Sequence, residues 1–480
     1  MKKEKGSITI FSLLSLLLVT ATIFALLEGS RLQEMHQLAE LQTENALESA
    51  FANYNSCLWE NYRLLGANGN EMQEVIEQTA AGRAGEGTNF FRLKPEDISI
   101  LGEAKITDGK GTVFIKSVSS YMKENFVYEA AKEVYSQYEA IKKLLESDQM
   151  NLSNITDALE EMNKASIEIV EPSVETRIKR DVDTQIDVRS ILEIAEDWKE
   201  MGILNLVLQD TENLSKAQHD FSTGLLKRNL EKGRNSVKTT IDWMDRLLLQ
   251  QYLITYMSNF AEEKENRALS YEIEHLLGQK SSDIENLKVT ANKLLAVREA
   301  ANFLYLLSNS VCMAQAEAVA TLFVGVTANP LLIQAVKIGL LTAWALAESI
   351  LDVRAILEGK RIALLKSEES WTIALENLGE ISKEFLMAKE SKWGLDYEDY
   401  LGILLLMEQE NSLAMNTMNL QEATIRQNYA DDSFGIDTLI TQANVKVRYS
   451  YKPIFPFLQV INADNRWEYN LSAEACYEYY

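Results

Sequence analysis

Trp344, Glu348 and Asp352 recur at four-residue intervals inside a long apolar run, so a helix through that run carries all three on one face. Two carboxylates held close together in apolar surroundings are the groups that acid–base hydrolysis uses, one kept protonated and the other ionised. They are equally the anchors of a buried ion-pair network, which needs cations where the hydrolase needs an open cleft. Lys337, Arg298, Arg354 and Arg361 are the candidate cations, and the buried polar network is read as Trp344, Glu348, Asp352 and Arg354. Tyr397, Tyr400 and Glu274 form a second group of packing and hydrogen-bonding candidates.

The remaining chemistry-bearing residues converge on nothing. His36, His219 and His275 lie far apart, with no Ser, Asp or Cys arrangement that would make a triad or a zinc site. Gly82-Arg-Ala-Gly-Glu-Gly87 has the glycines of a phosphate loop, but no strand leads into it and no Lys-Ser/Thr follows, so a mobile connector is expected. Three cysteines cannot build a disulfide framework. Cys57 and Cys476 are the pair that an oxidising compartment would bridge, and the alternative is that the thiols serve as small apolar residues. The expectation is therefore no catalytic residue, no cofactor, no metal and no identified small-molecule substrate.

The elements that must position Glu348 and Asp352 follow from hydropathy and period. Ser7 to Leu27 is free of charge and, at about 1.5 Å per residue, long enough to cross a hydrocarbon core about 30 Å thick. Lys2, Lys3 and Lys5 precede it while Glu28, Arg31 and Glu34 follow, which predicts a single-pass anchor with its N-terminus in the cytoplasm and its body outside. A cleaved signal fits less well, because the run is long and no Ala-x-Ala site follows. Ala301–Thr327 and Leu331–Leu351 are also very apolar, separated by Ala328-Asn-Pro330. Gln315, Glu317, Lys337 and Glu348 interrupt them, so a buried helical hairpin is expected ahead of a re-entrant or spanning pair.

Beyond the anchor, Leu32, Met35, Ala39, Ala46, Ala50, Tyr54, Leu58 and Leu65 keep helical spacing, predicting one rod that stops at Gly66-Ala-Asn-Gly69. Ile98, Ile100, Ala104 and Ile106 alternate with polar residues before the turn Asp108-Gly-Lys-Gly111, predicting a strand, with Thr112–Val118 either its hairpin partner or the next helix. From about Ser117 to Thr441 the chain reads as helix broken near Pro172, Gly202, Gly233, Gly278, Pro330, Gly359 and Gly394. Val445, Val447, Tyr449 and Tyr451 then alternate as a strand closed by Pro453 and Pro456, and Trp467, Tyr469, Leu471, Ala473 and Ala475 alternate as another. The fold class is thus mostly α: an anchor continuing into a rod, a small antiparallel sheet from about 97–107 and 443–477, and a large helical insertion. The corresponding domains are 1–27 (cytoplasmic tip and anchor), 28–116 (rod and first strand), 117–441 (inserted helical domain) and 442–480 (closing strands). A net charge of −24 repels nucleic acid and anionic lipid surfaces, which argues against a phosphate-binding role.

Two resemblances add to this. Lys5-Gly6 opening into the apolar helix, the exit segment Glu28-Gly-Ser-Arg31 and the strand Asn444–Phe457 resemble the TadE-type minor pilin-like proteins of tight-adherence pilus systems. At the position where processed pilins carry Glu, this chain has Phe11. Tyr271–Lys280, Trp344–Arg354 with Leu357–Lys360, and Leu395–Leu401 are similar to an uncharacterised family of single-pass proteins from Gram-positive bacteria, a resemblance that implies membership and no activity. Together they imply a pilin-like, membrane-tethered subunit or scaffold of an extracytoplasmic pilus or secretion apparatus, whose partners are other proteins of that apparatus. The alternative is a cell-surface hydrolase using Glu348 and Asp352, and a receptor role is disfavoured by the very short cytoplasmic tail.

Overall fold

A computed structural model describes residues 5–85, 93–125, 191–192, 194–195, 197–198, 201–234, 240–324, 330–382, 385–429, 433–452 and 469–479. Several sequence expectations lie outside the described residues: Glu86 and Gly87, Pro172, the Ala328-Asn329 break, Pro453, Pro456 and the start of the last strand at Trp467. In chain order the elements are α1 (Lys5–Ala52), α2 (Ser56–Tyr62), β1 (Ala67–Asn68), α3 (Gly69–Gly85), β2 (Lys94–Lys105), α4 (Asp108–Asn125), α5 (Ile203–Val207), α6 (Trp243–Tyr256), α7 (Glu272–Gly278), α8 (Asp283–Ser308), α9 (Ser310–Val324), α10 (Pro330–Leu357), α11 (Tyr397–Met407), α12 (Glu410–Asn428), β3 (Leu439–Tyr451) and β4 (Tyr469–Glu478). The chain divides into two compact units, Met1–Glu124 with Thr223–Asp245 and Ala414–Tyr480, and Asn125–Ser222 with Arg246–Leu413.

In the first unit α1 runs 48 residues without a break. Its apolar stretch from Ile8 is long enough to cross a membrane and none of it is buried, which supports membrane anchoring. Further along, Met35, Ala39, Thr43, Ala46 and Ala50 form a buried stripe at spacings of three and four, and three alanines let the helix axis approach the sheet closely. The sheet is built around β3, which pairs antiparallel with β2 (Ile98 opposite Val447), with β4 (Val447 opposite Ala473) and with β1 (Asn68 opposite Leu439). Ala443, Val445, Val447 and Tyr449 point inward with Leu471, Ala473 and Ala475, while Lys446 pairs with Glu474 at 2.8 Å on the opposite face, where Arg448 also pairs with Asp97. The alternation of side chains along a strand separates these two sets. Pairing of the Ile98 strand with a C-terminal strand follows the expectation; β3 and β4 pack on the rod, whereas β2 lies against α3 instead.

Three details differ from it. Helix α1 ends at Ala52 rather than near Leu65, because Asn55 leaves helical geometry and uses its side chain to cap α2 by accepting from the Leu58 N–H at 2.8 Å. The segment Gly66–Gly69 is more than a stop signal: Ala67 and Asn68 form β1. A Cβ at Gly66 would come within 2.9 Å of Leu439 Cβ, and one at Gly69 within 2.8 Å of Ile440 Cδ1. Gly82 to Gly85 belong to α3; Thr112–Val118 belong to α4, the helical one of the two alternatives expected.

Residues 414–441, read from sequence as part of the insertion, lie in the first unit with 223–245. Charged side chains bind them there. Arg228 grips Glu422 through two 2.6 Å bonds and reaches Asp437 at 2.5 Å, and buried Asp245 takes Lys116 at 2.5 Å and Ser119 at 2.7 Å. Asp108 in the expected turn accepts from the backbone N–H of Gly233 and Lys105.

In the second unit α8, α9 and α10 pack together, α8 and α9 meeting at an 87° bend. From Ala335 onward α10 is almost wholly buried, as expected for a core hairpin, whereas its other arm α9 buries only Cys312, Ala316 and Ala320, and Leu322 and Leu331 are 77% and 76% exposed. The sequence predicts breaks near Gly359 and Gly394 with helix between them; α10 does end there, yet among the described residues 358–396 contain no α-helix. Gly359 turns left-handed (φ 78°), with its N–H on Ile356 O and that of Lys360 on Ala355 O, a Schellman ending that stops α10.

Candidate functional site

Glu348 and Asp352 project from α10 and are both completely buried. The cations that meet them come from different elements. Arg298, one turn before Asn302 on α8, donates to Asp352 Oδ2 at 3.0 and 2.9 Å, to Tyr400 Oη at 3.0 Å and to the Leu364 carbonyl at 2.8 Å. Asn302 adds bonds to Asp352 at 2.8 Å and to Ser349 at 2.9 Å. From the irregular segment after α10, Lys366 reaches Glu348 Oε1 and Asp352 Oδ1, both at 2.7 Å.

Two acids therefore face two bases, all four side chains without solvent exposure, and the formal charge of the set is zero. Backbone N–H groups of Thr372 and Ile373 complete Glu348 at 3.0–3.1 Å, and Trp344 donates its indole N–H to the Ile373 carbonyl at 2.8 Å, so the tryptophan fixes the strap that caps the glutamate. Burial pushes the Glu348 carboxyl above its usual range, with Lys366 pulling the other way. Burial likewise lifts the Tyr400 hydroxyl, to about 12. Such a set can lock three chain segments in one register, because breaking any pair leaves a bare charge in a dry interior.

Of the four cations proposed from spacing, only Arg298 joins the carboxylates. Lys337 pairs with Glu317 at 2.9 Å and Arg361 with Asp396 at 3.0 Å. Arg354, named as a member, is not one: two residues past Asp352 it leaves α10 on another side, donating to the carbonyls of Leu206 (2.8 Å) and Leu386 (3.1 Å) with its guanidinium over Phe385. Burial without a carboxylate partner lowers its guanidinium to about 10. Lys366 was missed, since nothing periodic surrounds it.

A second buried group gathers around α7. Glu274 Oε1 accepts from Tyr397 Oη at 2.6 Å and from the Phe260 N–H at 2.9 Å, and complete burial raises its carboxyl to about 7. Its neighbour His275, hydrogen-bonded through Nδ1 to the Lys280 carbonyl, is driven by burial to about 4 and stays neutral. Asp283 ties Ser215 to the backbone of Ser270. His219 and His275, remote in sequence, both pack on the Phe221 ring, and His36 lies on α1. Among the described residues no three His, Cys, Asp or Glu side chains gather as a metal site, and Cys57, Cys312 and Cys476 are free thiols.

A family model, described only as a family of unknown function, matches residues 182–451. No curated protein and no solved structure matches the chain.

Proposed function

The chain belongs to DUF5702, a family of unknown function, and from its own geometry we propose that it is a pilin-like, membrane-tethered subunit that works by protein–protein contact in an extracytoplasmic pilus or secretion apparatus. The observation that carries this reading is the division of labour along α1. One continuous helix leaves its apolar half bare and commits its other half to an antiparallel sheet. At the changeover, Arg31 is buried, pairing with Glu28 at 2.5 Å and donating to the Lys452 carbonyl beyond β3 at 3.0 Å, so the Glu28–Arg31 exit segment fastens the helix to the end of the central strand. Such a joint transmits force from an embedded helix to a rigid body. Lysines before the apolar stretch support a cytoplasmic N-terminus with the body outside.

The sealed, charge-balanced surroundings of Glu348 and Asp352 support a structural role for these acids over a hydrolytic one, which requires a carboxylate that substrate can reach. The test places a photo-crosslinking residue at Leu14 or Leu18, both exposed on α1, in cells. Adducts to other membrane-embedded helices are expected, and adducts to lipid alone would sink the assembly reading. External protease on spheroplasts, which should digest the body, checks orientation separately.

A further inference from the structure

Within the first unit, the turn between α1 and α2, the β1–α3 junction and the approach to β3 line a half-open cavity of about 420 Å³. Ligand pockets are commonly 300–1,000 Å³, with a few convergent polar groups. This one is unusual in its lining: Asn53, Asn55, Asn68 and Asn70 with Glu71 on the polar side, and on the apolar side buried Phe434 and Leu439 with Tyr54, 40% exposed, as the accessible aromatic surface. Among the described residues of the lining Glu71 is the one with a charged side chain, and it takes the amides of Asn53 and Asn68 on its two oxygens, at 3.1 Å each. Those bonds aim the amides and leave the carbonyl oxygen of Asn53 without a hydrogen bond from any described residue. The side chain of Asn70 is likewise uncommitted among the described residues, its backbone N–H being the group that binds Asn68.

Several ligand classes fail on this chemistry. Phosphate, sulfate and carboxylate groups find no cation among the described lining residues. A hard divalent cation wants six or more oxygens, and one carboxylate already holding two N–H groups falls short. An apolar ligand meets mostly amides. What the site matches is the hydroxyl group, a donor and an acceptor at once, as each asparagine amide is. A ring carrying several hydroxyls on its edge and C–H bonds on its face would use the amides and Tyr54 together.

We propose that this cavity is a binding site for a neutral polyhydroxylated ligand, a sugar unit, free or within a glycan. It is built rather than incidental. Asn55 holds its pose as the cap of α2, Tyr54 bridges to Ala67, and Gly66 and Gly69 allow the asparagine-bearing segment to lie directly on Leu439 and Ile440. At the helical rise, Ala52 stands about 38 Å along α1 beyond Leu27. That reach puts the cavity well past the apolar stretch, and a bilayer lipid is not its ligand.

The test uses the full chain in detergent micelles. Calorimetric titration with N,N′-diacetylchitobiose, cellobiose and maltose forms the free-sugar arm, and co-sedimentation with chitin and with cellulose forms the glycan arm. Saturable binding to at least one disaccharide is expected, weakened tenfold or more by Asn70→Leu and separately by Tyr54→Ala. Both residues are exposed, so each variant should keep the parent melting temperature. Added sedimentation with a polymer would mark the ligand as a glycan strand, and its absence a free sugar. No binding in any arm, or binding that survives both substitutions, would overturn the proposal. So would saturation by calcium chloride or sodium sulfate in place of the sugars.

Discussion

Replacing Glu274 by Gln should make α7 more stable at neutral pH, and by an amount that depends on pH. Glutamine copies the protonated carboxyl in shape and keeps an oxygen to accept from Tyr397 and Phe260, but it never ionises. In the folded protein the Glu274 carboxyl sits at about 7 against an ordinary 4.5, a gap worth about 3 kcal/mol. Because the folded value is raised, the stabilisation is fully present below pH 4.5 and is lost as pH climbs to about 7. The variant escapes that loss. His275 runs the other way: its folded value is depressed from 6.5 to about 4, so its contribution is complete above pH 6.5 and is lost as pH falls toward 4. Between pH 4.5 and 6.5 the two slopes oppose each other and the parent should be nearly flat. Hydrogen exchange of α7 amides, parent and variant compared at each pH, measures the opening free energy. The difference should be near zero at pH 4.5 and reach about 3 kcal/mol in favour of Glu274→Gln at pH 8. A difference that stays constant across that range would refute the burial argument.

Three further outcomes are expected. Glu348→Ala and Lys366→Met should each cost about 3 to 5 kcal/mol by leaving a bare buried charge, and thermal unfolding of either variant at the parent temperature would contradict the network. Gly69→Ala should cost about 1 to 3 kcal/mol, since the added Cβ meets Ile440 and the Thr438 carbonyl at 2.8 Å, and should speed proteolysis near β1; unchanged cleavage would count against that packing. Ending the chain at Thr441 removes β4 and all but the first three residues of β3, and with them nearly every partner of β2, so α3 and the second half of α1 should lose exchange protection, and retained protection would show that the sheet is dispensable.

Strict alternation made β2 and β3 readable from sequence, because each has one face on the core and one in water. The rod was harder. Asn53, Tyr54 and Asn55 interrupt the helix for nearly one turn, so Leu58 and Tyr62 come back into phase and the period survives a break that the backbone does not. At the buried site, four-residue spacing found Glu348 and Asp352, since both lie on one helix. Their cations are set by tertiary structure. Arg298 lies 54 residues from Asp352, Lys366 stands in an irregular segment, and Arg354, the cation nearest in sequence, sits about 200° around the helix from Asp352. The membership of α12 in the first unit was equally hidden, because Glu422 gives no sign in sequence that Arg228 is its partner.

The pairing of β2 with β3 also sets an order of events during synthesis. Some 330 residues separate Lys105 from Leu439, and at about 5 to 20 residues per second a ribosome needs roughly 20 to 70 seconds to supply them. Throughout that interval α1 has left the ribosome with its alanine stripe uncovered, and β2 has an open edge of unpaired backbone. The second unit, complete once Leu413 has emerged, is able to fold in the meantime, whereas the first waits for β3 and β4. Newly made chains are therefore vulnerable to proteolysis and aggregation at their oldest end.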